Sequence, residues 1–103
     1  GALDWVEPAT RLHDKIRGLS PWPVAHTRLG DQVLRVHESR LMDRKDKGAP
    51  GEILAADRQG IQVATGDGVL ALTKLQLPGG KALPVADLLN SKRDLFQPGT
   101  LLG

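Results

Sequence analysis

The residue types that most often carry out chemistry are sparse in this chain and poorly spaced for it. Its three histidines, His13, His26 and His37, show no H-x-x-x-H or related spacing, and without any cysteine there is no ligand set for a zinc-like ion. Ser20 and Ser91 lack the strained strand-to-helix elbow that presents a serine nucleophile. Ser39 follows His37 within one strand, where both project to the same face and no acid is placed to orient the imidazole. Carboxylates are scattered beside Lys or Arg, as solvated ion pairs are. Gly66-Asp67-Gly68 resembles a phosphate loop only superficially, since such a loop needs more glycines and a helix directly behind it. No catalytic residue, metal ligand or cofactor site is assigned, and the chain reads as a binding or accessory module.

The basic residues offer more. With 14 Lys and Arg against 12 Asp and Glu the formal charge is only +2, so an anionic partner has to be argued from where the bases lie. Arg44, Lys45 and Lys47 stand in the nearly apolar-free stretch 42–49, which reads as an exposed loop. Lys92 and Arg93 follow Asn90 in a polar stretch, and Arg35 shares the polar side of a strand with His37. Arg11, Lys15 and Arg17 flank a helical stripe, where a solvated rim is the simpler reading.

The elements that must position these side chains belong to one small domain. A chain of 103 residues, 40% hydrophobic and 25% charged, buries about 60 to 65% of its unfolded surface, which suits a compact barrel or sandwich better than a deep enclosed site. No apolar run approaches about 18 residues and no leader pattern opens the chain, so a soluble, unexported protein is expected; its location is read as cytoplasmic and its state as monomeric. The lack of cysteine is compatible with a reducing compartment. The start at Gly1-Ala2, without Met, fits processing or a piece of a longer protein carrying a cloning remnant.

Asp4-Trp5-Val6-Glu7-Pro8 reads as an extended segment leading into a helix, with Glu7 and Arg11 at a favourable charge spacing. Leu12, Ile16 and Leu19 then recur at i, i+4 and i+7, predicting an amphipathic helix from Ala9 to Leu19. Gly18 suits a left-handed helix end, and the prolines of Ser20-Pro21-Trp22-Pro23 make a stiff corner. Trp22 is expected to wedge the helix against the following strands, so that Trp22→Ala would cost about 3 to 5 kcal/mol if it is fully buried. Strands are predicted over 24–29 and 32–40 around Gly30-Asp31, over 52–56, and over 61–65 and 69–77 around Gly66-Asp67-Gly68. The apolar parity switches from Leu70 and Leu72 to Leu75 and Leu77, which predicts a bulge near Thr73 and Lys74. A short helix over 84–90, with Val85, Leu88 and Leu89 inward and Asn90 as its cap, precedes an exposed turn over 90–94. The predicted fold is mainly β: a small open Greek-key barrel of 5 or 6 antiparallel strands, of the oligonucleotide-binding kind, with an N-terminal helix and a short helix near the C-terminus.

These motifs also occur in a familiar order. Ile16-Arg17 with Leu19-Ser20-Pro21-Trp22-Pro23, then Ala49-Pro50-Gly51-Glu52-Ile53-Leu54, Gly60-Ile61-Gln62-Val63-Ala64-Thr65-Gly66-Asp67-Gly68, Leu75-Gln76, Gly80-Lys81, Asp87-Leu88-Leu89-Asn90 and Pro98-Gly99 together resemble the C-terminal domain of methionyl-tRNA formyltransferases. The likeness covers nearly the whole chain. It implies that residues 1–8 connect to an N-terminal catalytic domain, and that residues 9–103 form a barrel that holds initiator methionyl-tRNA through a basic face. The formyl transfer from 10-formyltetrahydrofolate would belong to the N-terminal domain, whose Asn, His and Asp catalytic set and Ser-Leu-Leu-Pro loop have no counterpart here. Asn90, Lys92 and Arg93 are the first candidates for RNA contact, followed by Arg35, Arg44, Lys45 and Lys47. A second reading is a spacer or docking barrel of a formyltransferase acting on a sugar nucleotide or folate. The sequence departs from the family pattern at Val24, where Gly is frequent, at His26, where an aromatic is usual, and at Pro84, which replaces a hydroxyl residue that would cap the second helix.

Overall fold

The change from helical to strand spacing after the first helix is realised throughout the computed structural model, which describes residues 1–103. Helix α1 (Ala9–Leu19) is followed by strands β1 (Ala25–Leu29), β2 (Gln32–Met42), β3 (Ile53–Asp57), β4 (Gly60–Ala64), β5 (Val69–Gln76) and the two-residue β6 (Leu83–Pro84). Helix α2 (Val85–Lys92) and a 3₁₀ turn (Arg93–Phe96) complete the regular structure. All pairings are antiparallel, in the order β1-β2-β5-β4-β3, with β6 continuing along the β4 side of β5.

This six-stranded sheet stays open, because its edges β1 and β3 do not pair with each other. The C-terminal residues lie between them instead. Arg28 and Gly103 exchange backbone hydrogen bonds of 2.9 and 3.0 Å, Leu102 donates to Gly51 at 2.8 Å, and Ile53 donates to Thr100 at 2.8 Å. Edge groups that would otherwise be free to template another strand are thereby satisfied.

One apolar cluster fills the space between the sheet and the helices. Leu12 and Ile16 of α1, Leu34 and Val36 of β2, Leu70, Leu72 and Leu75 of β5, and Phe96 are all completely buried within it. Burying each such side chain contributes about 1.5 to 3 kcal/mol, so the stripe of α1 and the inward parity of the strands dominate the stability. The parity switch in β5 has the expected cause. Ser39 faces Leu72 while Glu38 faces Lys74, which leaves Thr73 as an extra residue and returns Leu75 to the core. A second slip lies at His37, between the Val36–Leu75 and Glu38–Lys74 pairs.

Residues 1–8 run along the domain and contribute to its core through Leu3 and Trp5. Their seat is the β4–β5 hairpin. Gly66 donates to the Trp5 carbonyl at 2.9 Å, and the Asp67 carbonyl accepts from Ala9 at 2.9 Å. A Cβ on Gly66 would overlap the Val6 carbonyl, so glycine is required there for close approach of two backbones. The Thr65 hydroxyl, turned into the loop, donates to Gly68 at 2.7 Å and accepts from Asp67 at 3.1 Å.

Four local expectations are corrected. Trp22 is not a wedge but is 83% exposed. Val24 donates to the Leu19 carbonyl at 3.0 Å, which closes the chain behind residues 20–23 and leaves them as an outward excursion with cis bonds before Pro21 and Pro23. Trp5 and Phe96 fill the aromatic places in the core. Gly18 lies inside α1 without a positive φ, and it is Val24 that takes φ +70. Glu7 and Arg11 make no ion pair, because Glu7 precedes the helix and lacks the helical spacing, while Arg17 pairs with Asp14 at 2.6 Å. The segment after Asn90 is exposed as expected through Asp94 but helical rather than a turn, since continued winding carries Phe96 into the core. As the sequence implied, Pro84 precedes α2 without a side-chain cap.

Candidate nucleic-acid interface

Strand alternation sends Leu34 and Val36 inward and puts Arg35 on the outer face of the sheet, between His26 of β1 and Gln76 of β5. Simple alternation would then put Arg40 on the inner face. The slip at His37 resets the phase, so Arg40 stands opposite Ala71 and joins Arg35 outside. Both arginines are exposed, and neither belongs to any of the three ion pairs. The sequence signal for Arg40 was weak, because the slip that carries it outward is set by the pairing of Val36 with Leu75 and of Glu38 with Lys74, on a strand far downstream.

The rest of this face is polar and fixed by hydrogen bonds. His37 Nε2 and Gln76 Oε1 lie 2.9 Å apart, and Gln76 Nε2 donates to the Gly80 carbonyl at 3.0 Å. Exposed Arg28 donates to the Asp31 carbonyl at 3.1 Å, and Lys74 lies 3.8 Å from Glu38. The face therefore offers Arg35 and Arg40 as cations without carboxylate partners, Arg40 meeting only the Met42 sulfur at 4.0 Å, with Arg28 and Lys74 partly engaged.

The other predicted bases fall elsewhere. Lys92 lines an open cleft at the end of α2 with Gln32, Lys81 and Ser91, against the turn of Pro78 to Gly80. Lys81 was not among the expected site residues, and Asn90 is exposed on α2 nearby in sequence. Arg93 diverges from Lys92, its guanidinium donating to the Ala56 carbonyl of β3 at 3.2 Å. Lys45 and Lys47 line a second open cleft between their loop and the β4–β5 hairpin. That cleft lies at the Val69 end of β5, whereas Arg35 pairs at the Gln76 end. Eight residues of strand separate the two ends by roughly 24 Å. The predicted contacts thus form several separate basic places.

Arg44 is held by its own loop. It donates to Gln62 Oε1 at 2.6 Å and pairs with Asp46 at 2.8 Å, while buried Gln62 donates to Asp57 at 3.1 Å. The Asp46 hydrogen bond raises the Arg44 pKa and lowers that of the Asp46 carboxyl. Arg44 therefore fastens residues 43–49 to the sheet. Ser39 does not share the face of His37 as simple alternation implied: the slip at His37 turns it toward α1, where it lies 2.8 Å from His13 Nδ1. Burial and the nearby Arg17 lower the His13 pKa, against a smaller opposing effect of Asp14. No acid is hydrogen-bonded to the other nitrogen of this imidazole, so the pair ties α1 to β2 and lacks the third member of a triad.

Fold and charge together describe a small open-sheet β domain with a basic outer face. The family model described as "Formyl transferase, C-terminal domain" matches residues 1–93, and the chain belongs to that family. It is 52% identical over 101 residues to the methionyl-tRNA formyltransferase of Ectopseudomonas mendocina (strain ymp), covering 98% of this chain and 32% of that protein. The methionyl-tRNA formyltransferase of Pseudomonas entomophila (strain L48) is 50% identical with the same coverage. The chain thus spans about a third of the length of these relatives. Among solved structures, it is similar to HypX from Aquifex aeolicus in complex with tetrahydrofolic acid, with a TM-score of 0.69 and 25% identity over 85% of this chain and 16% of that one.

Proposed function

We propose that this chain is the tRNA-holding domain of a cytoplasmic methionyl-tRNA formyltransferase. Its ligand is initiator methionyl-tRNA, and an N-terminal catalytic domain outside this chain transfers the formyl group from 10-formyltetrahydrofolate to the methionine amino group for translation initiation. The observation that carries the reading is the outer sheet face, where Arg35 and Arg40 are exposed without carboxylate partners. Free guanidiniums on a rigid sheet suit phosphate oxygens, which accept two parallel N–H donors. Lys81, Lys92 and Asn90 extend the contact at one end, and Lys45 and Lys47 at the other, while Arg44 and Arg93 hold protein carbonyl or carboxylate groups. The clefts beside these bases are open and lined largely by polar and turn residues, so no residue here is assigned to the folate.

The relatives at about 50% identity favour this reading over a sugar-nucleotide or folate spacer, since HypX is a more distant likeness. The test is a titration of the domain with initiator tRNA at low and moderate salt. Binding is expected to weaken with salt, because each phosphate contact releases counterions. Arg35→Ala with Arg40→Ala is expected to weaken it further and to reduce the salt slope by roughly one per arginine. No binding at low salt, or an unchanged slope in the double variant, refutes the proposal.

A further inference from the structure

The most exposed large apolar side chain of the domain is an aromatic one, and it stands on a stiff stretch of backbone. Trp22 is 83% exposed between Pro21 and Pro23, on a four-residue excursion closed by the 3.0 Å hydrogen bond from Val24 to Leu19. Proline fixes φ, so the indole is presented on a backbone with little freedom left to lose on docking. Aromatic side chains are strongly favoured in interface cores, where a rigid ring brings much contact area.

The location of the excursion indicates its partner. Gly1 accepts a hydrogen bond from His26 at 2.9 Å, and Ala2 is bridged to the same strand. A Cβ on Gly1 would lie 3.2 Å from the Val24 carbonyl, so the start of the chain lies against a residue two positions from Trp22. The relatives are about three times as long, and the matching family model is that of a C-terminal domain. Residues preceding Gly1 would therefore emerge against Val24, at the base of the excursion that carries this indole. The bases near it are partly occupied: Arg17 is paired with Asp14 at 2.6 Å, and Lys15 donates to the Ala2 carbonyl at 2.7 Å.

Resting on the reading of this chain as the C-terminal part of a longer formyltransferase, we propose that Trp22 is the anchor by which this domain docks against the preceding domain of its own polypeptide. The indole inserts into an apolar surface of that domain, while Pro21 and Pro23 hold the approach angle. The experiment compares acrylamide quenching of tryptophan fluorescence in this chain and in the full-length protein, without RNA. A Trp22→Phe variant of each identifies the signal of Trp22, and buried Trp5 serves as the internal reference. Strong quenching of Trp22 in the isolated domain and several-fold protection in the full-length protein are expected. Trp22→Ala is expected to leave the unfolding midpoint of the isolated domain unchanged and to increase proteolytic cleavage between the domains of the full-length protein. Equal quenching in the two proteins overturns the proposal, and so does protection that appears only when initiator tRNA is added. Protection without RNA in a protein whose domain fails the tRNA titration sustains the docking while refuting the RNA reading.

Discussion

The indole N–H of Trp5 donates to the hydroxyl of Thr27 at 2.9 Å, and that hydroxyl donates in turn to the main-chain oxygen of Gly103 at 3.1 Å. Trp5 and Thr27 are buried, so the N-terminal segment, the edge strand β1 and the C-terminus share one polar chain inside the fold. Thr27→Val removes the acceptor and leaves the indole N–H unpaired, at an expected cost of about 1 to 3 kcal/mol. Trp5→Phe removes the donor itself. Urea unfolding of the two single variants and the double variant is expected to give a combined loss about 1 kcal/mol smaller than the sum, as coupled residues do. Strict additivity would mean that the contact contributes nothing.

Val24 is the only non-glycine residue with a positive φ, at +70. A β-branched side chain is badly suited to that region, and such strain costs on the order of 1 to 3 kcal/mol. Val24 is buried but lies outside the main apolar cluster, so removing its methyl groups forfeits little core packing. Val24→Gly is expected to be more stable than Val24→Ala by about 1 kcal/mol, because alanine keeps the backbone penalty that glycine relieves. Thermal melts of both variants decide the order, and a more stable alanine variant would contradict the strain.

The departure from glycine at position 24 was visible in the sequence, whereas its backbone conformation was not. The same division runs through the domain. The stripe of Leu12 and Ile16, the Gly30-Asp31 turn and the slip at Thr73 were legible because periodicity and turn chemistry act over a few residues. The exposure of Trp22 was not, since burial depends on which distant side chains have already filled the core, here Trp5 and Phe96. The candidate site was legible for Arg35, whose strand parity is local. Arg40 needed the pairing of β2 with β5, and the engagement of Arg44 needed the pairing of β3 with β4, which brings Asp57 and Gln62 together.

Arg44 and its loop neighbours Lys45 and Lys47 have different expected roles, and mutation separates them. Arg44→Ala leaves Oε1 of buried Gln62 without its donor and releases the anchor of residues 43–49. A loss of about 1 to 3 kcal/mol in unfolding free energy is expected, the usual cost of an orphaned buried polar atom. Lys45→Ala with Lys47→Ala is expected to stay within about 0.5 kcal/mol of the parent, as exposed substitutions do, while weakening tRNA binding. Equal stability of the two variants would place Arg44 among the free cations.

His13 gives the domain a pH dependence of known sign. Its folded-state pKa lies below the usual 6.5, chiefly through burial and then through Arg17, with Asp14 opposing. The unfolded chain therefore takes up a proton at a higher pH than the folded one does. The stability arising from neutral His13 is complete above about pH 6.5, and it is lost as the pH falls from there through the folded-state pKa. Protonation also makes both ring nitrogens donors, so the Ser39 hydroxyl can then serve His13 only as an acceptor. Melting temperatures measured between about pH 5 and 8, across the ordinary range of histidine titration, are expected to fall less steeply toward acid in His13→Gln than in the parent. An identical slope in the two proteins would show that His13 titrates as it does in the unfolded chain, and that the α1–β2 tie is insensitive to its charge.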